Sequence, residues 1–313
     1  MLGAIFEFRF SKVEFRFSFI PKMLKRTLTA LLLIPPVVYL IGWSPKWLFV
    51  LAVVAAVVLA LREYFALCRA MGFKVLSWLG YGASVALCVA QAFPGDRLFH
   101  FAVTPLIVLF VLVIPTLALW RSMDLRDYLA ATSVTFFGIL YIGFSLSCLV
   151  VIRFFPTEFG CIWIAGGGED QPPALILGSR LVLFLFVVIW AGDICAYLVG
   201  RSIGRIPFFA RVSPRKTWEG ALAGLAGSLL AGWAFAHWVF KTADANTVVL
   251  VPAWIAVAGQ VGDLVESAIK RGANQKDSGT LLPGHGGFLD RIDSLLFGAP
   301  ALWLALSILG PYL

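Results

Sequence analysis

The chain is poor in charge: Asp, Glu, Lys and Arg make up 13% of its 313 residues while 60% are apolar, against about 25% and 45–50% in a water-soluble domain. Its mean hydropathy is +0.91. A soluble enzyme has no interior able to hide that much apolar surface, and a disordered chain is polar, so both are excluded. Cysteine is scarce as well. Cys68, Cys88, Cys148, Cys161 and Cys195 form no CxxC pair and no Cys/His spacing, which excludes a metal knuckle, a disulfide scaffold and thiol redox chemistry. There is no internal repeat, and no inverted pair of broken helices of the transporter kind.

Long apolar runs are what the chain has in quantity. About 20 mostly apolar residues span a hydrocarbon core, and runs of that kind lie near 27–43, 47–61, 75–93, 100–120, 129–152, 180–200, 217–240, 247–269 and 288–310. The first two are the least regular, since Pro35 and Pro36 interrupt one and only Ser44 to Lys46 separates them; a hairpin that does not fully cross is the alternative. With nine spans and an inside N-terminus, twenty of the 25 basic residues fall on inner segments. Lys46, Arg97, Arg153, Arg180 and Lys241 are the exceptions. That bias is the positive-inside pattern. The expectation is an all-α polytopic membrane protein of about nine transmembrane helices with a cytoplasmic N-terminus, in a bacterial inner membrane, and it also removes nucleic acid as the reason for the net charge of +8.

Residues 1–22 alternate phenylalanine with charged or small residues and have no signal-peptide cleavage pattern. They read either as an interfacial aromatic segment or as a non-essential extension ahead of a start at Met23, whose Met-Leu-Lys-Arg opening favours the second. The segment 154–178, with Cys161 and three consecutive glycines, is the one long outer loop. The organisation expected is therefore an extension over 1–22, N-terminal transmembrane helices over 23–179 and a C-terminal transmembrane region over 180–313.

The chemistry concentrates in that last region. Asp193, Glu219, Asp263, Glu266, Asp290 and Asp293 all fall in or at the ends of its four spans, where an acid costs at least about 2.5 kcal/mol and wants a cation, a partner or water. Asp263, Glu266, Ser267 and Lys270 stand at i, i+3, i+4 and i+7, on one face of one helix, and Asp290, Asp293 and Ser294 share a face of the next. Intramembrane salt bridges with Lys270 or Arg291 are the plain alternative to a site. The loop between the two helices shifts the balance. It combines Arg271, Lys276 and Asp277 with Pro283, Gly284, His285, Gly286 and Gly287 just before a helix start, and glycine-rich backbone beside bases and a helix N-terminus suits an anion. Carboxylates for a hard cation and bases for phosphates are together what a metal-bound polyphosphate needs. A second inner segment, Arg201 to Gly220, has the same character.

Ser267-Ala-Ile-Lys270-Arg271, then Lys276-Asp277-Ser-Gly, then Leu282-Pro-Gly-His285-Gly286-Gly287-Phe-Leu-Asp290-Arg291-Ile-Asp293 reproduces the signature of phosphatidate cytidylyltransferases, the CDP-diacylglycerol synthases. Asp193-Ile-Cys-Ala-Tyr197-Leu-Val-Gly200-Arg201 and Ser213-Pro-Arg-Lys216-Thr217-Trp218-Glu219-Gly220 also resemble that family. The resemblance is specific over about 190–294 and rests on hydropathy elsewhere; Arg215 stands where members often carry lysine. It implies transfer of the cytidylyl group of CTP to phosphatidic acid, giving CDP-diacylglycerol and pyrophosphate at the cytoplasmic face. A phosphate monoester, with a second pKa of about 6, is already a nucleophilic dianion at pH 7. No general base is required.

The resemblance implies Asp263 and Asp290 as ligands of Mg²⁺, with a second cation such as K⁺ beside it, and Lys270, Arg271 and Lys276 as catalytic, positively charged contacts to the phosphates. Arg201, Ser213, Lys216, Thr217, Ser267, His285, Gly286, Gly287 and Arg291 are the expected substrate contacts. Asp193, Glu219, Glu266, Asp277 and Asp293 are expected as supporting acids, either orienting ligands and lysines or contacting metal. Ser213 and Thr217 also suit the cap of the seventh helix. Arg205 and Arg211 read as surface charge, and Tyr197 as packing or substrate contact alike. A homodimer is left open. A transporter would also hold intramembrane acids but has no use for such a loop on one face, and a CDP-alcohol phosphotransferase would open on an Asp-Gly-x-x-Ala-Arg motif that is absent.

Overall fold

The structure is a computed structural model that describes residues 34–92, 99–120, 124–154, 174–241, 246–281 and 286–309. The N-terminal extension, Met23, Arg97, Cys161 with the greater part of its loop, and His285 lie outside the described residues. A short helical segment over 34–42 leads into α1, Lys46–Ala70, and then come α2, Ser77–Ala92, α3, Phe99–Trp120, and α4, Leu125–Phe154. The second half comprises α5, Ala174–Ser202, a hairpin of β1, Pro207–Phe209, and β2, Ser213–Thr217, then α6, Trp218–Phe235, α7, Val251–Gly272, and α8, Leu289–Leu309.

Seven helices among the described residues are long and apolar enough to cross a membrane, and the chain is an all-α polytopic membrane protein. Lipid leaves no water for exposed N–H and C=O groups, so helices that satisfy their own backbone are the form such runs take. The boundaries of 180–200, 217–240 and 247–269 recur within a few residues as Ile176–Ser202, Trp218–Phe240 and Val248–Gly272. The run 75–93 is helical over the described residues Ser77–Ala92 of α2. One expectation changes. The run ending at 61 continues to Ala70 as helix, so Arg62, Glu63 and Arg69 sit on α1 rather than in a loop.

At the centre lies α4, in which every residue from Ser145 to Arg153 is buried. Before that stretch the helix widens over Ile139–Phe144, where Gly143 faces Ser84 of α2 and Gly138 faces Tyr64 of α1. Small residues of this kind let helices approach closely where no hydrophobic force drives them together. By contrast α3 is peripheral, with Val108, Leu109, Val111 and Leu112 exposed, as a lipid-facing helix requires. A single apolar cluster runs from Phe49 and Leu61 of α1 through Ile142 and Leu149 of α4 to Leu185 of α5, Ile255 of α7 and Leu296 of α8. The two halves thus share one core.

Interhelical hydrogen bonds tie the second half together: Ser228 Oγ donates to Val188 O at 2.9 Å, Gln260 Nε2 to Ala221 O at 3.0 Å and Trp254 Nε1 to Ala301 O at 3.1 Å. The β1–β2 hairpin is an exception to the all-α expectation. It is antiparallel and irregular, pairing Pro207 with Thr217 and Phe209 with Ser213, and its two prolines keep it from acting as a template for further strands. Phe208 packs edge-on against Trp218 at 4.5 Å between centroids, which fixes the hairpin to the first turn of α6.

Candidate active site

Where α5, the hairpin and α7 meet, a cavity of about 850 Å³ opens. Asp193, Tyr197 and Arg201 enter it from α5, Arg215, Lys216 and Thr217 from β2, and Gln260 and Asp263 from α7. Lys216 Nζ stands 2.5 Å from Asp263 Oδ2, with both side chains about 30% exposed. Partial exposure matters here, because an ion pair open to the cavity can be exchanged for a ligand. Arg201 donates to Tyr197 Oη at 2.6 Å and lies against its ring, so Tyr197 orients a base that faces the cavity. Thr217 caps α6, its Oγ1 accepting from the Gly220 N–H at 3.2 Å, as the capping preference of threonine anticipates. Ser213 does not share that role; it opens β2 instead.

Behind Asp263 the acids gather. Oxygens of Asp263, Glu266 and Asp293 lie within 4.8 Å of one another, brought together because the second half of α7 packs beside the first turns of α8. Glu266 is fully buried, and its carboxylate has no hydrogen-bond donor in proper geometry although Lys270 Nζ is 2.6 Å from Oε2. The short ion-pair distance is the better description of that contact, since attraction between charges needs no aligned donor. The single face expected for Asp263, Glu266, Ser267 and Lys270 is thus present, with Ser267 Oγ 3.4 Å from Asp263 Oδ1.

Asp290 lies against Lys270 and the loop. Its Oδ1 meets Lys270 Nζ at 2.5 Å. Its Oδ2 lies 2.9 Å from the Ser278 N–H, 3.0 Å from Ser278 Oγ and 2.8 Å from the Gly287 N–H. Gly286, at φ +80°, supplies the left-handed backbone that turns the Gly287 N–H toward this carboxylate. Asp293, one turn along α8, lies with Asp263 and Glu266.

Several other expected residues serve the backbone. Glu219 accepts from the N–H groups of Arg205 at 3.0 Å and Ile206 at 3.2 Å, so it anchors the entry to the hairpin and stands apart from the acid group. Arg271 donates to Val212 O at 3.2 Å and Gln275 O at 3.1 Å, tying the hairpin to the end of α7. Lys276, Asp277 and Arg291 are exposed. Gln260 and Glu63, which line or support the site, were not picked out from sequence, and Arg215 was noted there only as a departure from the family's lysine. Arg215 stood between two expected contacts on one short segment, which was signal enough. Glu63 lies more than 200 positions from the loop it touches, and only an acid at the end of an apolar run marked it.

The cytidylyltransferase family model matches residues 24–309. The chain belongs to this family. A phosphatidate cytidylyltransferase of Brucella suis biovar 1 is 38% identical to it over 167 residues, 53% of this chain and 54% of the relative. One from Synechocystis sp. is 32% identical over 287 residues, 85% of this chain and 91% of the relative, and one from Bacillus subtilis 41% over 131 residues, 42% and 49%. Against the Brucella and Bacillus relatives the chain spans about half of their length.

Proposed function

We propose that this protein transfers the cytidylyl group of CTP to phosphatidic acid in phospholipid biosynthesis, releasing pyrophosphate and leaving CDP-diacylglycerol in the membrane. The observation that carries the reading is the cavity in which Arg201, Arg215 and Lys216 face Asp193 and Asp263, in a member of a cytidylyltransferase family with relatives named for this activity. A basic wall opposite an acidic one accommodates a polyphosphate and the hard cation that neutralises it.

The lipid phosphate is its own nucleophile, so the protein's work is to hold two anions in line and to stabilise the leaving pyrophosphate. Arg201, Arg215 and Lys216 hold phosphate oxygens. Substrate arrival exchanges the Lys216–Asp263 contact for one between Lys216 and phosphate, which frees the Asp263 carboxylate. Lys270, held between Glu266 and Asp290, keeps those two acids apart and fixes the inner ends of α7 and α8. The donor set of Asp263, Glu266 and Asp293, all carboxylate oxygens within 4.8 Å of one another, fits a hard divalent ion such as Mg²⁺. Mg²⁺ bound there would supply charge neutralisation at the pyrophosphate. In this arrangement Asp290 positions Lys270 and the loop.

Arg201, Arg205, Arg211, Arg215, Lys216, Lys270 and Arg271 lie near this end of the molecule in sequence segments that the positive-inside bias assigns to the cytoplasm. The site accordingly faces the cytoplasm, where CTP is made. Purified full-length protein, given CTP, Mg²⁺ and phosphatidate, should form CDP-lipid and pyrophosphate in equal amounts. Folded protein that forms neither would overturn the reading.

A further inference from the structure

Glu63 belongs to the first half of the chain, on α1, yet it is only 7% exposed and its carboxylate ends at the start of α8. Oε1 accepts from the Phe288 N–H at 2.9 Å, and Oε2 accepts from the Leu289 N–H at 2.8 Å. Leu289 opens α8 and Phe288 directly precedes it, and amides at these positions have no partner within the helix. A residue just ahead of a helix ordinarily satisfies such groups. Here the cap comes from 225 positions away, and the positive end of the helix dipole favours its negative charge.

The same carboxylate reaches the loop. Ser278 Oγ lies 2.8 Å from Glu63 Oε2 and 3.0 Å from Asp290 Oδ2, so its one proton serves either acid. A continuous series of polar contacts therefore runs from Glu63 through Ser278 to Asp290, from there to Lys270 and on to Glu266. Two glycines show how closely the loop is drawn in. A Cβ on Gly279 would stand 2.6 Å from Glu63 Oε1, and one on Gly287 would stand 2.5 Å from Oε2. Nothing larger than hydrogen fits between the backbone and this carboxylate.

We propose that Glu63 is a positioning residue for nucleotidyl transfer: it clamps Ser278 and the first turn of α8 together so that Asp290 holds Lys270 against Glu266. The assay rests on the proposed function, but the geometry does not. The first helix then completes the site from outside the signature region, and its role exceeds anchoring.

The test is Glu63→Gln in the full-length protein, in lipid nanodiscs, with kcat and KM for phosphatidate measured per folded molecule and amide exchange followed over residues 277–290. Glutamine keeps the volume and one acceptor but sets an NH₂ group against a donor. A misplaced reacting group costs up to about 100-fold, so the expected result is a kcat about 10- to 100-fold lower, little change in KM, and faster exchange at Phe288 and Leu289. Ser278→Ala, which leaves both main-chain contacts to Glu63, should lose less. A folded Glu63→Gln variant with kcat within about twofold of the parent and unchanged exchange would overturn the proposal. So would failure of that variant to accumulate in folded form, since the residue would then serve the fold in general. Wild-type protein that forms no CDP-lipid would count against the proposed function alone, and amide exchange, which needs no substrate, would still decide the role of Glu63.

Discussion

In α1–α4 the buried Gln91, Thr135 and Arg153 meet neutral partners, while Glu63 reaches across to the loop and the start of α8, whereas in α5–α8 acids crowd together beyond what their lysines offset. Gln91 Nε2 donates to Ser147 Oγ, Thr135 accepts from the Leu76 N–H at 3.1 Å, and Arg153 donates to Ser44 Oγ and O at 2.9 and 2.8 Å while its guanidinium lies over the rings of Phe49 and Phe154. Across the molecule Lys216 and Lys270 pair with Asp263, Glu266 and Asp290, and Asp193 and Asp293 stand close by. Acids gathered at membrane depth are costly to a fold, and a chain that keeps them puts them to use. Apart from Glu63, which belongs to the site by its contacts, the acids gather in the second half.

Substitutions that sharpen this contrast should separate turnover from stability. The largest loss is expected for Asp263→Asn, which keeps shape but takes charge from both the cavity and the three-acid set. CDP-lipid formation should fall by about 1,000-fold, toward the upper range for losing one electrostatic contact in a transition state, with folded yield unchanged by size-exclusion chromatography. Near-normal turnover in that variant would place Asp263 with the structural acids. Lys216→Met retains the stem and removes the ammonium; a loss of about 100-fold in kcat/KM for CTP is expected, measured at saturating phosphatidate.

On the other side of the comparison, Arg153→Leu should leave kcat within about twofold and lower the thermal midpoint, because the Ser44 carbonyl loses its donor at a cost of about 1–3 kcal/mol. A large loss of turnover without loss of stability would break the division between the halves. The smallest effect belongs to Gln91→Leu. Removing one interhelical hydrogen bond within a membrane costs about 0.6 kcal/mol, readable as a small drop in denaturant midpoint and as no change in activity.

Much of this molecule is legible along the chain because lipid imposes length and apolarity on any crossing segment. Trp218–Phe240 coincides almost residue for residue with its apolar run, and the shared face of Asp263, Glu266, Ser267 and Lys270 follows from helical spacing alone. The hairpin was not legible. Three and five residues are too few for a period-two pattern, and Pro207 and Pro214 within them argue against strand.

The surroundings of Asp290 and Asp293 show the same boundary at the site. Three residues apart, they share one face of α8, and either satisfies a pattern that asks for an acid at the inner end of that helix. Packing of α8 against α7 turns Asp293 toward Asp263 and Glu266 and leaves Asp290 to Lys270, Ser278 and Gly287. Local sequence carries helix length, face and cap, since these depend on neighbours within a turn or two. The rotation of one helix against another, and the reach of Glu63 from α1 to the amides of α8, depend on side chains more than 200 positions apart and exist only once the shared core has formed.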